Sequence, residues 1–345
     1  MTVEFRREIE KATFRSPLEG FNLVTQEVEV RVDPLTGRKS RLNIQRARRP
    51  KHVKCSPEYE QIIESSRKGC FFCPENIENT TPKFPSPLPD RIWVGEACVL
   101  PNLFPFAAHH AVAVISREHH IEMSSFSPVL LRDCMKASLE YFRRIFELDN
   151  SAKIWNISWN YMPPAAASLI HPHFQLVACR EPTFFLHTML QKSREFEERA
   201  GKNYWSELIE VEQKLNERYI GRKGNVHWIA AFSPIGNKEI IAVFEGSSSL
   251  RDLNDQQISD FCEGLSAILR GYCEIGVRSF NMGTFSAPVG ENWSNCYWLN
   301  IRLVARPTPA SLYAGDIGFM ELFQLEPVID TMPEDLASFL KNYLR

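Results

Sequence analysis

The sequence lacks the features that mark several large classes of protein. It contains no run of about 18 apolar residues, which a helix needs in order to cross a membrane. Its 40 lysine and arginine residues are balanced by 42 aspartate and glutamate residues, so the basic excess of nucleic-acid-binding surfaces is missing. The first residues are charged and include no apolar secretory core. We therefore expect a cytoplasmic protein that acts neither at a membrane nor on nucleic acid.

Cysteine is scattered, and of the nine residues only Cys70 and Cys73 form a Cys-x-x-Cys pair. Without a secretion signal, an odd number of cysteines indicates reduced thiols. A Cys-x-x-Cys turn presents two thiolates to one metal ion, and zinc usually takes two further nitrogen or sulfur ligands. These must come from distant parts of the chain, and the candidates are His109, His110, His119, His120 and His171. A redox pair and two unconnected core cysteines are the alternatives.

The segment His171-Pro-His-Phe-Gln175 concentrates polar chemistry in five residues. If it is extended, the side chains of His171, His173 and Gln175 project from one face, because side-chain direction alternates along a strand. Such a row offers a nucleophile, a polar neighbour and a hydrogen-bond donor for a developing anion. The alternative interpretation is a pair of satisfied histidines beside a turn.

Residues 1–54 are mixed and polar, and we expect them to be extended or rich in loops. The turn at Asp33 to Gly37 is followed by a basic run of Arg38, Lys39, Arg41, Arg46, Arg48, Arg49, Lys51 and Lys54. Guanidinium groups bind phosphate oxygens through two parallel hydrogen bonds, so the run predicts phosphate contacts. A solvated charged surface is the alternative.

The spacing of apolar residues predicts the remaining elements. Strands are predicted over 91–100, 109–116, 153–161, 169–179, 227–234, 239–245, 278–285 and 296–304. Helices are predicted from Ser127 to about Leu148, over much of 184–220, and over 255–274. Ser127 followed by Pro128 marks a helix start, because serine caps a helix and proline suits its first position.

The order strand-strand-helix-strand-strand thus occurs twice, and we predict two similar halves, 1–225 and 226–345, in one compact unit. In the second copy the three polar residues of the central segment are replaced by Trp298, Asn300 and Arg302. No histidine follows His227, so the second copy cannot repeat the chemistry of the first and has a structural or binding role.

Several motifs occur in a fixed order across most of the chain. They are Asp33-Pro-Leu-Thr-Gly37 with Gln45-Arg-Ala-Arg-Arg-Pro50, Cys70-Phe-Phe-Cys73, Pro101-Asn-Leu-Phe-Pro105, Ser116-Arg-Glu-His119, and His171-Pro-His-Phe-Gln175 preceded by Asn160 and Ser168. Together they resemble the galactose-1-phosphate uridylyltransferase family, the transferase branch of the histidine-triad superfamily. The resemblance implies an α+β fold of duplicated histidine-triad-like halves, with helices packed on antiparallel sheets.

The resemblance also implies a zinc ion and a role for each motif residue. Zinc would be bound by Cys70, Cys73, His119 and His171. His173 would attack the α-phosphorus of a nucleotide, while Gln175 and Ser168 would donate hydrogen bonds to the α-phosphate oxygens. The phosphate- and nucleotide-binding residues would be Arg46, Arg49, Asn102 and Asn160. A homodimer is implied as well, and the second half offers as interface material the aromatic residues Trp293, Tyr297, Trp298 and Phe319.

Gln175 favours transfer over hydrolysis. Histidine-triad hydrolases carry a third histidine at this position, which can protonate a poor leaving group, whereas a carboxamide cannot act as an acid at neutral pH. We therefore predict a nucleotidyltransferase that moves a nucleoside monophosphate from a nucleoside-diphosphate sugar to a phosphorylated acceptor. The alternatives are a phosphorylase of nucleotide sugars or dinucleoside polyphosphates, and a catalytically silent nucleotide-binding protein. The sequence identifies neither the base nor the sugar.

Overall fold

The computed structural model describes residues 2–48, 58–309 and 315–344. Within these residues, no helix is both long and apolar enough to cross a membrane. Arg49, Lys51 and Lys54 of the basic run lie outside the described residues.

The strands of the described part are β1 (Arg6–Ser16), β2 (Asn22–Val32), β3 (Lys39–Leu42), β4 (Ile92–Val94), β5 (Ala97–Pro101), β6 (His109–Val114), β7 (Ile154–Tyr161), β8 (His173–Cys179), β9 (Tyr219–Lys223), β10 (Val226–Ala230), β11 (Ile240–Phe244), β12 (Phe280–Phe285), β13 (Asn300–Ala305) and β14 (Val328–Ile329). Its helices are α1 (Glu58–Arg67), α2 (Ile77–Thr80), α3 (Pro128–Leu148), α4 (Phe184–Ala200), α5 (Tyr204–Leu215), α6 (Asp255–Glu274), α7 (Phe319–Leu322) and α8 (Pro333–Leu340).

A ten-stranded sheet with the strand order β4-β5-β6-β8-β7-β12-β13-β11-β10-β9 organises the molecule. One copy contributes β4, β5, β6, β8 and β7 from one edge to the centre, and the other contributes β9, β10, β11, β13 and β12 in the equivalent order. The two copies meet where β7 pairs antiparallel with β12. The predicted α+β fold, with duplicated halves and helices packed on antiparallel sheets, is confirmed. The division at residues 225 and 226 stays a prediction, although β9 pairs with β10 of the second copy. The polar N-terminal residues are extended and belong to a separate sheet of β1, β2, β3 and β14.

The helices α3 and α6 contact each other and pack on the ten-stranded sheet. The Ser127 side chain accepts a hydrogen bond from the backbone N–H of Leu130, and Pro128 begins α3, as predicted. On the sheet, Phe174 and Leu176 of β8 are fully buried in the core beneath these helices. The alternate residues of β8, including His173, therefore face the opposite side of the sheet, where the candidate site is built.

The structure corrects several of the predicted element boundaries. Residues 91–100 form two strands rather than one, because Gly95, with a φ of +57°, turns β4 back onto β5. The helical stretch predicted over 184–220 divides at Gly201, whose φ is +64°, and ends before β9. Glycine adopts such angles without the steric cost that a side chain brings. The strands predicted from residues 169 and 296 begin only at His173 and Asn300, and the strand predicted over 227–234 ends at Ala230.

Candidate metal centre and active site

Four buried side chains from distant parts of the chain form one cluster. Cys70 and Cys73 lie in the turn after α1. His119 lies in the loop after β6, and His171 lies two residues before β8. The ligand atoms of all four residues lie within 4.8 Å of one another. Two thiols and two imidazoles are a donor set typical of structural zinc sites.

The separations within this cluster match the size of a tetrahedral metal site. Cys73 Sγ lies 3.4 Å from His119 Nδ1 and 3.7 Å from His171 Nδ1. Cys70 Sγ also lies 3.7 Å from His171 Nδ1. Bonds of about 2.3 Å to sulfur and about 2.1 Å to nitrogen, at tetrahedral angles, place such donors about 3.6 Å apart. The four residues therefore fit a metal ion of the size of zinc.

Both histidines of the cluster turn Nδ1 towards the thiols, because each Nε2–H is used elsewhere. His171 Nε2–H donates to the backbone oxygen of Ser116 at 2.8 Å. His119 Nε2–H donates to Ser66 Oγ at 2.8 Å, and that hydroxyl donates to the backbone oxygen of Ile63. Burial lowers the pKa of His171 to about 4 and also lowers the pKa of His119. Both rings are therefore neutral and direct a lone pair at the thiols, which is the form that binds a metal.

The other three histidines considered as metal ligands lie elsewhere. His109 Nε2 is 3.0 Å from a carboxylate oxygen of Asp149, and His120 lies beside two tyrosine hydroxyls. His110 contacts Gln175 rather than a thiol. The structure thus brings together the four ligands that the family resemblance implies.

His173 begins β8 and lies beside the metal cluster without joining it. Its Nδ1–H donates to the backbone oxygen of His171 at 2.8 Å. This bond leaves the ring lone pair on Nε2, which is 3.5 Å from Gln175 Nε2. Burial lowers the pKa of His173, so the ring is neutral and its Nε2 can act as a nucleophile.

Gln175 lies on the same face of β8 as His173, as the alternation predicts. Its Oε1 accepts hydrogen bonds from Asn102 Nδ2 at 3.0 Å and from His110 Nε2 at 2.8 Å. Asn102 follows β5, and its backbone N–H donates to the backbone oxygen of His110. With its oxygen occupied, Gln175 presents its amide nitrogen towards His173, where it can donate to an anion.

Asn160 on β7 is held by residues of the second half. Its Oδ1 accepts a hydrogen bond from Asn281 Nδ2 at 2.7 Å, across the pairing of β7 with β12. Asn281 Oδ1 accepts a hydrogen bond from Arg306 at 2.6 Å, and Arg306 forms a bidentate ion pair with Asp316. Because the oxygen of Asn160 is occupied, its amide nitrogen is the group that can donate to a ligand.

Two predicted site residues are exposed, and no described contact joins them to the His173–Gln175 pair. Ser168 lies on the surface of the loop between β7 and β8. Arg46 lies in the short 3-10 helix Ile44–Arg48 and lines a cleft of about 160 Å³ together with Asp316 and Phe319. Arg49, the other predicted phosphate-binding arginine, lies outside the described residues.

Two residues of the candidate site have no clear signal in the sequence. The pattern marks His110 only as a candidate metal ligand, and no motif includes Asn281. In the structure each of them hydrogen-bonds to the oxygen of a carboxamide, Gln175 and Asn160 respectively, that was predicted to bind the nucleotide.

Comparison with known proteins gives one relative in sequence and several in structure. No family model matches the chain. A protein of Archaeoglobus fulgidus, described as uncharacterised, is 32% identical over 343 residues, which cover 99% of this chain and 98% of the relative. An ADP-glucose phosphorylase of Arabidopsis thaliana with bound ADP-glucose is similar in structure, with a TM-score of 0.72 at 20% identity. A uridylyltransferase structure is similar with a TM-score of 0.67 at 20% identity. Both matches cover 91% of this chain and 98% of the other.

Proposed function

This chain belongs to one family with the Archaeoglobus fulgidus protein and has the fold of the galactose-1-phosphate uridylyltransferases, and we propose that it is an enzyme that transfers nucleotidyl groups. The observation that carries the proposal is the His173–Gln175 pair, in which a ring nitrogen with a free lone pair faces an amide donor at 3.5 Å. A nucleophile beside a donor for phosphate oxygens suits attack on phosphorus.

The proposed reaction has two steps on one phosphorus atom. His173 Nε2 attacks the α-phosphorus of a nucleoside-diphosphate sugar, a P–N bond forms, and the bond to the bridging oxygen breaks. The sugar phosphate leaves with that electron pair. An oxygen of the acceptor phosphate then attacks the same phosphorus, the P–N bond breaks, and His173 is restored. Throughout, Gln175 donates to the α-phosphate oxygens, and the His171 backbone oxygen holds the Nδ1–H of the charged ring.

We propose zinc as the metal of the Cys70, Cys73, His119 and His171 cluster. Bound zinc would tie His171 to the cysteine turn and so stiffen the backbone that orients His173. The chain itself supplies the link between the two, because the same residue that faces the thiols accepts the hydrogen bond from His173.

Phosphorolysis is the second candidate reaction, in which inorganic phosphate replaces the phosphorylated acceptor. The similarity to an ADP-glucose phosphorylase favours it, and so does Gln175, because a carboxamide cannot protonate a poor leaving group. Both candidates need a leaving group and an acceptor that are already phosphates. The fold thus supports nucleotide sugars as the substrate class, with dinucleoside polyphosphates as the alternative.

A substrate panel tests the proposal. Purified protein would be incubated with ADP-glucose, UDP-sugars and a dinucleoside polyphosphate, alone, with inorganic phosphate, and with sugar phosphates. We expect turnover only when a phosphate acceptor is present. Exchange with sugar phosphates would identify a transferase, and release of a nucleoside diphosphate with phosphate would identify a phosphorylase. Turnover by water alone, or no turnover and no nucleotide label on the protein, would refute the proposal.

Asn281→Asp should weaken catalysis although the residue belongs to the second half. The aspartate keeps an oxygen for Arg306 but can no longer donate to Asn160, so the Asn160 amide loses its fixed orientation. We expect kcat/KM to fall by about tenfold, the scale of one lost hydrogen bond. Asn79→Asp, at an exposed position, is the control for the added charge. Equal kcat/KM values for the two variants would show that Asn160 does not depend on the second half.

We propose a homodimer, with a correction to its predicted interface. Trp293 and Tyr297 are buried in the core of the chain, so they cannot form an intermolecular surface. Phe319 and Phe323 are instead 70% and 75% exposed. We expect sedimentation at about twice the chain mass of 39.8 kDa, and a shift towards monomer in Phe323→Glu. Phe184→Glu, which changes an exposed phenylalanine of α4, should stay dimeric, and an active wild-type monomer would exclude the dimer.

A further inference from the structure

We propose that His110 is a positioning residue that fixes which end of the Gln175 carboxamide faces His173. The hydrogen bond from His110 Nε2 to Gln175 Oε1, at 2.8 Å, is the contact on which this depends. Its effect on catalysis rests on the proposed function, whereas the protonated nitrogen of His110, on which the orientation depends, can be identified without turnover.

The surroundings of His110 determine which of its nitrogens carries the hydrogen. The backbone N–H of Phe106 donates to His110 Nδ1 at 3.3 Å, so Nδ1 is the acceptor of the neutral ring. Nε2 must then carry the hydrogen, and it donates to Gln175 Oε1 at 2.8 Å. Asn102 Nδ2 lies 3.1 Å from the same ring nitrogen, and it directs its hydrogen at Gln175 Oε1 rather than at the ring. His110 is 6% exposed, and burial lowers its pKa, which keeps the ring neutral.

Asn102 is oriented in the same way by the same loop. The backbone N–H of Phe104 donates to Asn102 Oδ1 at 2.8 Å, which turns Asn102 Nδ2 towards Gln175 Oε1 at 3.0 Å. Two backbone N–H groups of the 102–106 loop thus fix two side-chain donors, and both donors converge on one oxygen. Gln175 is the only one of these groups that faces His173.

The opposite orientation of Gln175 is excluded by this arrangement. A rotated amide would direct its NH₂ group at two donors and its oxygen at the lone pair of His173 Nε2. Three contacts would become repulsive, and a phosphate bound at His173 would meet an oxygen instead of a donor. His110 therefore acts through Gln175, at a distance from the reacting atoms.

A matched pair of variants tests the role of His110. Glutamine and methionine have similar length and volume, but only glutamine can donate to Gln175 Oε1, and both remove the acceptor for Phe106. We expect kcat of His110→Gln to exceed kcat of His110→Met by about tenfold, with a smaller difference in KM. Thermal midpoints and metal content of the two variants should agree. Equal kcat values would overturn the proposal and leave His110 a structural role.

A second measurement identifies which ring nitrogen of His110 carries the hydrogen, independently of turnover. In protein labelled with ¹⁵N-histidine, the chemical shifts of the two His110 ring nitrogens identify the protonated one, with assignment by loss of the signal in His110→Gln. We expect the Nε2–H form. The Nδ1–H form would overturn the proposal even if the enzyme turns over as expected. The Nε2–H form in a protein without turnover would refute only the proposed function.

Discussion

His173→Ala is expected to abolish nucleotidyl transfer, with a loss of ~10⁴-fold or more in kcat, because a covalent mechanism cannot proceed without its nucleophile. The side chain is not one of the four cluster ligands, so metal content and the thermal midpoint should stay close to wild type. The wild-type enzyme should show ping-pong kinetics, and a labelled nucleotide should be recovered on His173 by mass spectrometry. The kcat values are measured with the substrate of the panel described above that the wild type turns over fastest.

Two further variants, His187→Ala and His171→Ala, serve as comparisons for this prediction. His187 is an exposed histidine of α4, and its loss should change nothing. His171→Ala should lower metal content and stability first, and activity only as a consequence, because its Nδ1 faces the thiols. Turnover that survives in His173→Ala, or a label that maps to His171, would show that the two roles are assigned wrongly.

Cys73→Ser is expected to yield little folded protein. Cys73 Sγ contacts both histidines of the cluster, and a structural zinc contributes roughly 10–16 kcal/mol of binding free energy that becomes folding free energy. That is as large as the roughly 5–15 kcal/mol by which folded proteins are stable. Near-ultraviolet circular dichroism and thermal unfolding would measure the loss, and elemental analysis of the wild type should give about one zinc per chain.

Cys179→Ser is the matched control, because Cys179 is a partly exposed cysteine of β8 that is absent from the cluster. It should retain the metal and the fold. Fully active wild-type protein without metal would refute a structural zinc, and two zinc ions per chain would show that a second site exists.

Local chemistry allowed much of the fold to be predicted from the sequence. Ser127 and Pro128 set the start of α3 through contacts within one turn of the helix, so their effect is visible in the sequence itself. Alternation placed His173 and Gln175 on one face of β8 for the same reason. Spacing left five histidines as candidate metal ligands. The motif resemblance selected His119 and His171 from these five.

The parts of the site that depend on strand pairing could not be predicted. His110 reaches Gln175 because β6 pairs with β8, although β7 lies between these two strands in the chain. Alternation along β6 turns the neighbouring His109 to the other face. Asn281 is more than 100 residues from Asn160, and the pairing of β7 with β12 brings them together. One sequence gives strand periodicity but not which strands are neighbours.

The pairing of β7 with β12 also explains why a half without the histidines of the candidate site is useful. Each copy alone would end in a long strand with unpaired N–H and C=O groups, and such an edge is a template for aggregation. In the ten-stranded sheet these two edges cover one another. The outer edges of the sheet are the short strands β4 and β9, of three and five residues. The pairing with the second half thereby prevents edge-to-edge aggregation of the first through β7, a task that requires backbone and no reactive side chain.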